Sequence, residues 1–414
     1  MDLLNEIHRC GKCGICIQTC PVYAEDLHEW TTPRGKVQLL KSCLSGDLSS
    51  TKKLQKVVAT CLMCGSCTHH CPSGIDHESL FMAMRKQLRE AHGESWSKNL
   101  FFYLLSHEQQ LKAAVKLAGI GQNPVFEALY KNFQLGNISL ASLPRVNPRP
   151  FREQRLKNLL PGNRSRGTVL YFVGCSTNYA FSKIGNAVVQ ILNRMELTVE
   201  LIPDQVCCGL PMYLKGELDG ALGNARKNIA LFNRDDVMAV ITDCATCTSA
   251  LSGGYKKLLA GEHEQAEADS LASKTTNISR FIIDHFDWLE GCLDEDMEPL
   301  TITAHIPCHE RNHMDDPTVV TDLMRMLPHV NYVEAENAAE CCGGGGTFFY
   351  DFPGLSGKMA QKKVEGAMAT GADLWVTGCP GCRINLTGYL QPEADLTVVH
   401  PVEVIAAALR SDPE

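Results

Sequence analysis

The 414-residue sequence predicts a multidomain chain of α and α/β class, with an α-helical N-terminal domain followed by two duplicated α/β domains. Three observations carry this. One four-cysteine spacing is written twice within the first 72 residues. The segments between and after those two runs place apolar residues at helical period. From residue 167 onward short β-forming runs alternate with helical patterns, and the whole order recurs 133 to 135 residues later.

The doubled spacing consists of Cys10, Cys13, Cys16 and Cys20-Pro21, then Cys61, Cys64, Cys67 and Cys71-Pro72. A thiolate every third residue lets one loop wrap three corners of an iron-sulfur cube, while the fourth cysteine, before a proline, crosses to the other cluster. Two cubane 4Fe-4S clusters are therefore expected, one on Cys10, Cys13, Cys16 and Cys71, the other on Cys61, Cys64, Cys67 and Cys20. Zinc knuckles and structural thiols are the alternatives, and a zinc site asks for ligands in two pairs.

The net charge of -8 and the absence of a long basic run leave a nucleic acid little to bind. Twenty cysteines point to thiols that serve metals, not to a disulfide framework. The polar start MDLLNEIHRC enters the first run within ten residues, so no signal peptide is expected, and no apolar stretch is long enough for a transmembrane segment. These features place the protein in the cytoplasm, or on the inner face of the cytoplasmic membrane through its partners.

In chain order, residues 1–95 form the helical cluster domain. PRGKVQLLKSCL sets Val37, Leu40 and Leu44 on one face, and HESLFMAMRKQLREA does the same with Leu80, Met84 and Leu88. Arg34 is placed against cluster sulfide, in a pair with an acid, or simply on the surface at a helix start, and Cys43 belongs to the helix core. Residues 96–166 form a helical connector and a Pro/Arg-rich linker. From Trp96 to about Phe133 the pattern is helical, with an apolar face that includes Leu100, Phe101, Tyr103, Leu104 and Leu105; Lys98, Lys112 and Lys116 are interspersed, so the alternatives are an ordinary packing face, which is preferred, and a helix lying on a membrane surface. Leu143 to Gly167 reads as an extended linker, with four prolines and seven basic residues.

The first α/β domain spans 167–290. TVLYFVGC is a strand running into Cys175, a helix carries Ile184, Val188, Ile191 and Met195, and a second strand leads to Cys207 and Cys208. A helix from Leu218 to Phe232 precedes a third strand that ends at Cys244 and Cys247. Ala260 to Asn277 is polar and acidic and reads as an exposed helix or loop; Cys292 has no counterpart and reads as a bystander. The second domain, 299–414, repeats the order with Cys308, Cys341, Cys342, Cys379 and Cys382. Each set sits beyond the carboxyl ends of parallel strands, where open α/β sheets bind ligands. Five thiolates exceed one tetrahedral zinc and suit a multi-iron group.

This spacing, with 31 and 35 residues between cysteine groups in the first set and 32 and 36 in the second, resembles the CCG domain of heterodisulfide reductase subunits. Fused to a double-cluster ferredoxin domain, it is similar to the iron-sulfur subunit of glycolate or D-lactate dehydrogenases and to the catalytic iron-sulfur subunit of membrane-linked heterodisulfide reductase. The resemblance implies noncubane 4Fe-4S clusters, one or two in number, on Cys175, Cys207, Cys208, Cys244 and Cys247 and on Cys308, Cys341, Cys342, Cys379 and Cys382. Complete sets favour the reductase branch, whereas ECCGGGGTF and HPVEVIAAAL resemble the hydroxyacid branch.

No glycine-rich nucleotide fingerprint precedes a helix, so FAD is expected on a partner subunit only. The first functional expectation is an iron-sulfur subunit of a flavin-dependent 2-hydroxyacid dehydrogenase, passing electrons from an FAD-containing subunit to the membrane quinone pool or a further redox protein. The alternative is a catalytic subunit that reduces a disulfide at a noncubane cluster, with His305 or His309 as proton donor.

Overall fold

The computed structural model describes residues 3–122, 134–135, 138–139, 144–156, 166–314, 316–391 and 393–410. Expectations for 123–133, and most of those for the linker after 156, lie outside these residues.

Helix Pro33–Leu44 starts where the sequence provides for it. Thr32 caps it by accepting from the Gly35 N–H at 2.9 Å, and Pro33 occupies its first turn. Gly35 is obligatory, because a Cβ there would lie 2.1 Å from the Glu29 carbonyl oxygen. Val37 and Leu40 are buried as expected, and Cys43 packs beside them. Helix His77–His92, capped by Asp76 through the Ser79 N–H at 3.1 Å, buries Leu80, Phe81, Met84 and Leu88 against it.

The duplicated domains each hold a four-stranded parallel sheet. In the first, β1 (Thr168–Phe172), β2 (Thr198–Leu201), β3 (Ala239–Thr242) and β4 (Thr275–Asn277) stand in the order β2-β1-β3-β4. In the second, β5 (Leu300–Ala304), β6 (Val330–Tyr332), β7 (Leu374–Val376) and β8 (Thr397–Val399) stand as β6-β5-β7-β8. The two orders are the same. The strand order reverses between the first and third strand of each unit, which opens a crevice at their carboxyl ends.

The two units face each other with pseudo-two-fold symmetry. Helix Ser182–Arg194, which follows β1, packs on Pro401–Ala407, while its counterpart Val319–Arg325 packs on Ile278–Asp284. One apolar cluster, including Ile184, Val188, Ile282, Val320, Leu323 and Ile405, runs through both units. A second joins the N-terminal domain to the first unit through Phe81, Phe102, Leu214 and Phe232.

Three sequence expectations are corrected. Thr275–Asn277, read as part of an exposed stretch, is an edge strand, and the preceding helix Gln265–Lys274 buries Ala268, Leu271 and Ala272. In helix Trp96–Ser106 the packing face is Phe102 and Leu105; Leu100, Phe101 and Tyr103 are exposed. The Pro/Arg-rich linker is not uniformly extended, because Phe151–Arg155 is a helix with Phe151 and Arg152 buried. Arg152 donates to the carbonyl of Gln205 at 2.7 Å and pairs with Glu108, and Phe151 lies under Gly185, where a Cβ would come within 2.7 Å of its ring.

Candidate metal centres

Both N-terminal cysteine runs fold the same way. Lys12 and Gly14 in the first, and Met63 and Gly65 in the second, have left-handed φ of 54°, 84°, 55° and 74°. A non-glycine residue held there costs about 1 kcal/mol, and both runs carry one at the same place. One cavity of about 320 Å³ is lined by Cys10, Cys13, Cys16 and Cys71 together with Arg34 and His77. Another, of about 410 Å³, is lined by Cys20, Cys61, Cys64 and Cys67 together with Lys36 and Phe81. Each cavity draws three thiols from one run and the fourth from the other. The first opens to solvent at Cys13, the one exposed cysteine among the described residues.

Arg34 stands partly exposed at the start of helix Pro33–Leu44, lines the outer cavity and pairs with Glu29 at 2.9 Å. Lys36 was not foreseen. It is 2 % exposed, donates to the Thr31 carbonyl, and its ammonium acts on Cys61, Cys20 and Cys67. Buried Arg85 adds a second cation, donating to the Cys61 carbonyl at 2.6 Å.

The inner cavity abuts the second α/β unit. Asn312 donates to the Cys64 carbonyl at 2.7 Å, Val22 and Leu62 pack against Cys341 and Phe348, and His313 lies 3.2 Å from Glu78. Gly65 and Gly345 permit this approach, since a Cβ on them would stand 2.8 Å from the His313 ring and 2.9 Å from the Leu62 carbonyl oxygen.

In the α/β units the ten thiols form one continuous line. Cys175 contacts Cys207, Cys207 contacts Cys208, Cys208 contacts Cys247, and Cys247 contacts Cys244. The second unit mirrors this from Cys308 through Cys341, Cys342 and Cys382 to Cys379. Cys244 and Cys379 contact each other and close the line. The pseudo-two-fold axis explains the meeting, because helix Ala245–Ser249 packs on Cys308–His313 and helix Cys175–Tyr179 on Pro380–Tyr389. Across the junction the Ala245 N–H donates to the Gly378 carbonyl at 3.1 Å, and Thr246 Oγ1 lies 3.6 Å from Cys379 Sγ.

Burial raises the thiols of Cys64 and Cys67 and pushes Cys16 up to about 11. Cys208, Cys342 and Cys379 are lowered, each receiving hydrogen bonds from neighbouring thiols. So many crowded thiols cannot ionise together without a compensating positive core, and multi-iron groups supply one. The donor set fits such groups.

Two buried acids flank the junction. Asp243, before Cys244, accepts from Tyr171 Oη at 2.6 Å and from the Gly174 N–H at 3.3 Å. The second unit has Gly378 at that place, and Glu310 fills the room: its Oε1 would be 2.3 Å from a Cβ on Gly378. Glu310 is fully buried, and burial raises its carboxyl well above the usual range. Aligning the two repeats would have exposed the Asp243 and Gly378 difference. His305 is fully buried, with a ring nitrogen within 4.8 Å of Cys342 and Cys382, and His309 Nδ1 is 3.9 Å from Cys308 Sγ. His400, in the closing segment, caps its helix and turns its ring toward the carbonyls of Asp243 and Gly378. Cys292 stands apart, with its thiol 3.9 Å from the Arg194 carbonyl.

Residues 6–75 match the model of a 4Fe-4S dicluster domain, and residues 169–252 and 302–387 each match that of a cysteine-rich domain, CCG. Over 98% of its length the chain is 27% identical to a probable glycolate oxidase iron-sulfur subunit of Bacillus subtilis, covering 94% of that protein. It is 24% identical to a dihydromethanophenazine:CoB--CoM heterodisulfide reductase subunit of Methanosarcina mazei, over 98% of this chain and 95% of the other. Lactate utilization protein A 1 of Bacillus anthracis is 27% identical over 58% of this chain and 98% of its own. A crystal structure of a hypothetical protein from Helicobacter pylori shares the fold at a TM-score of 0.57 and 10% identity, over 99% of this chain and 73% of that one. Fold and sequence together define an iron-sulfur oxidoreductase subunit. The chain belongs to the CCG-domain family, which contains glycolate oxidase iron-sulfur subunits and the corresponding subunits of heterodisulfide reductase. Among the described residues no helix is long and apolar enough to cross a membrane.

Proposed function

We propose that the protein is the iron-sulfur electron-transfer subunit of a flavin-dependent 2-hydroxyacid dehydrogenase acting on glycolate or D-lactate. In this reading Cys10, Cys13, Cys16 and Cys71 hold an outer cubane cluster and Cys20, Cys61, Cys64 and Cys67 an inner one. Cys308, Cys341, Cys342, Cys379 and Cys382 hold a noncubane cluster next to the inner site, and Cys175, Cys207, Cys208, Cys244 and Cys247 hold the last. When bound, the clusters supply one-electron storage and transfer. The chain keeps the thiols in register, buries most of those in the α/β units and leaves Cys13 exposed at the outer end. The FAD that oxidises the hydroxyacid belongs to a partner, and the electrons leave to a quinone or a further redox protein.

The observation that carries the reading is the order of the thiol sites: an outer set with exposed Cys13, an inner set whose Cys64 acts on Cys308 where the two halves meet, and from Cys308 a continuous line of thiols to Cys175. The complex purified anaerobically from its native host tests it. Glycolate or D-lactate should reduce the iron-sulfur signals when the flavoprotein is present and not when it is removed; signals indifferent to both acids would overturn the assignment.

One observation favours a second reading, disulfide reduction on this chain. Both five-thiol sets are complete and meet at Cys244 and Cys379, so two centres would flank one substrate. Turnover of a coenzyme disulfide by the isolated chain with reduced viologen would select it.

A further inference from the structure

The two five-thiol sets are related by duplication but are not electrostatically alike. Their correspondence is fixed by packing: a Cβ on Gly209 would meet the Ala221 carbonyl oxygen at 3.2 Å, and one on Gly343 would meet that of Ser356 at 2.9 Å. Seven residues further along the same helices stand Asn228 and Lys363, in Leu218–Phe232 and Pro353–Met368. Asn228 is fully buried and neutral. It accepts from the Val206 N–H at 3.2 Å and donates to the Cys207 carbonyl at 3.2 Å and to Tyr255 Oη at 3.0 Å.

Lys363 is 1 % exposed, and its ammonium donates to the carbonyls of Ala338, at 2.8 Å, and Asn337, not to a carboxylate. Its charge acts on Cys342, on the exposed Glu340 carboxylate, and on Cys341 and Cys382. A second difference is one of polarity, since burial and Lys363 lower the His305 pKa well below its ordinary value. Three residues before Cys308 stands His305, near Cys342 and Cys382, whereas three residues before Cys175 stands Phe172, packed on Phe232 at 5.1 Å between ring centroids.

We propose that Lys363 makes the two centres unequal, holding the one on Cys308, Cys341, Cys342, Cys379 and Cys382 at a higher reduction potential than the one on Cys175, Cys207, Cys208, Cys244 and Cys247. The inference rests on the reading that both sets carry iron-sulfur clusters. Each added electron makes a cluster more negative, and a cation fixed in a low-dielectric interior stabilises that state. A neutral amide at the matching place gives no such preference. Lys363 is a positioning residue in this sense: an electron shared between the two centres resides on the one beside the inner cubane site.

Redox titration of the full-length, anaerobically loaded protein, followed by electron paramagnetic resonance, tests this, with Cys175→Ser and Cys308→Ser assigning the signals. Lys363→Asn should lower the second centre's one-electron equilibrium constant about tenfold or more, about 59 mV, while Lys363→Arg keeps it near the parent value. Asn228→Lys should raise the first centre. Unmoved potentials in iron-replete Lys363→Asn, or equal shifts in the Asn and Arg variants, would overturn the proposal. Should Lys363→Asn fail to load iron, Asn228→Lys decides, and an unmoved first centre overturns it. A parent protein without iron on either set would instead refute the underlying reading before any variant is compared.

Discussion

The thiols of Cys244 and Cys379 meet on the pseudo-two-fold axis between the duplicated units, and each is the first cysteine of its CxxC pair. Neither unit therefore has a closed site of its own. Helix Ala245–Ser249 packs on Cys308–His313 and helix Cys175–Tyr179 on Pro380–Tyr389, so each five-thiol set is bordered by a helix of the other unit.

Because the units share this junction, a side chain of one should tune the other. Thr246 belongs to the first unit, yet its hydroxyl lies 3.6 Å from Cys379 Sγ in the second. Thr246→Val should leave the iron content unchanged and lower the potential of the second centre, since a lost hydrogen bond to a ligand sulfur destabilises the reduced state. A shift confined to the first centre in a redox titration would contradict the cross-unit arrangement.

Close backbone approach at Gly35 predicts a strong size dependence. Gly35→Ala places a Cβ 2.1 Å from a backbone oxygen and should destabilise by about 1 to 3 kcal/mol. Gly354→Ala, in a helix with open space around it, should be neutral or stabilising by up to about 1 kcal/mol. Paired thermal melts of the two variants measure the contrast.

Much of this architecture was legible because cysteine spacing is rigid and repeats. The offsets between Cys175 and Cys308, and between Cys244 and Cys379, announce the duplication, and the β-rich runs before them announce the strands. What was hidden has physical reasons. β4 and β8 are only three residues long, and Thr275–Asn277 carries no large apolar side chain, so neither has a periodic signature. The run from Leu100 to Leu105 is apolar throughout and does not reveal which side faces inward. Lys36 and Lys363 look like solvated lysines, because no pattern in the sequence shows that the Thr31 carbonyl, in the turn just before its helix, receives Lys36, or that the Ala338 carbonyl, from a remote turn, receives Lys363.

Arg152 shows the same difficulty in the stretch read as a linker, and it supplies a test. Its guanidinium holds Glu108 and the Gln205 carbonyl in a buried setting. Arg152→Met leaves the Glu108 carboxylate with only the Tyr179 hydroxyl, 2.6 Å away, and should cost about 1 to 3 kcal/mol. A denaturant midpoint unchanged from the parent would return this segment to a passive tether.

A pH dependence follows from Lys215. Burial, with Arg85 and Lys98 nearby, pushes its amine down to about 7, even though Asp351 lies 3.4 Å away. In the unfolded chain a lysine titrates near ~10.4. Between these values the unfolded state binds the extra proton, so the destabilisation is complete below about pH 7 and is relieved as pH rises toward ~10. Lys98, 2.7 Å from Asp351, keeps that carboxylate paired when Lys215 is replaced. Lys215→Met should be more stable than the parent at pH 6 and keep less than half of that advantage at pH 9, as read from melting temperatures at both values.

The central claim, that eighteen cysteines hold four iron-sulfur centres in one line, is tested most directly by counting. Iron and acid-labile sulfide per chain, determined on anaerobically purified full-length protein, should each come to about sixteen. A folded chain with zinc in place of iron, or with about eight irons and ten free thiols in the α/β units, would contradict it.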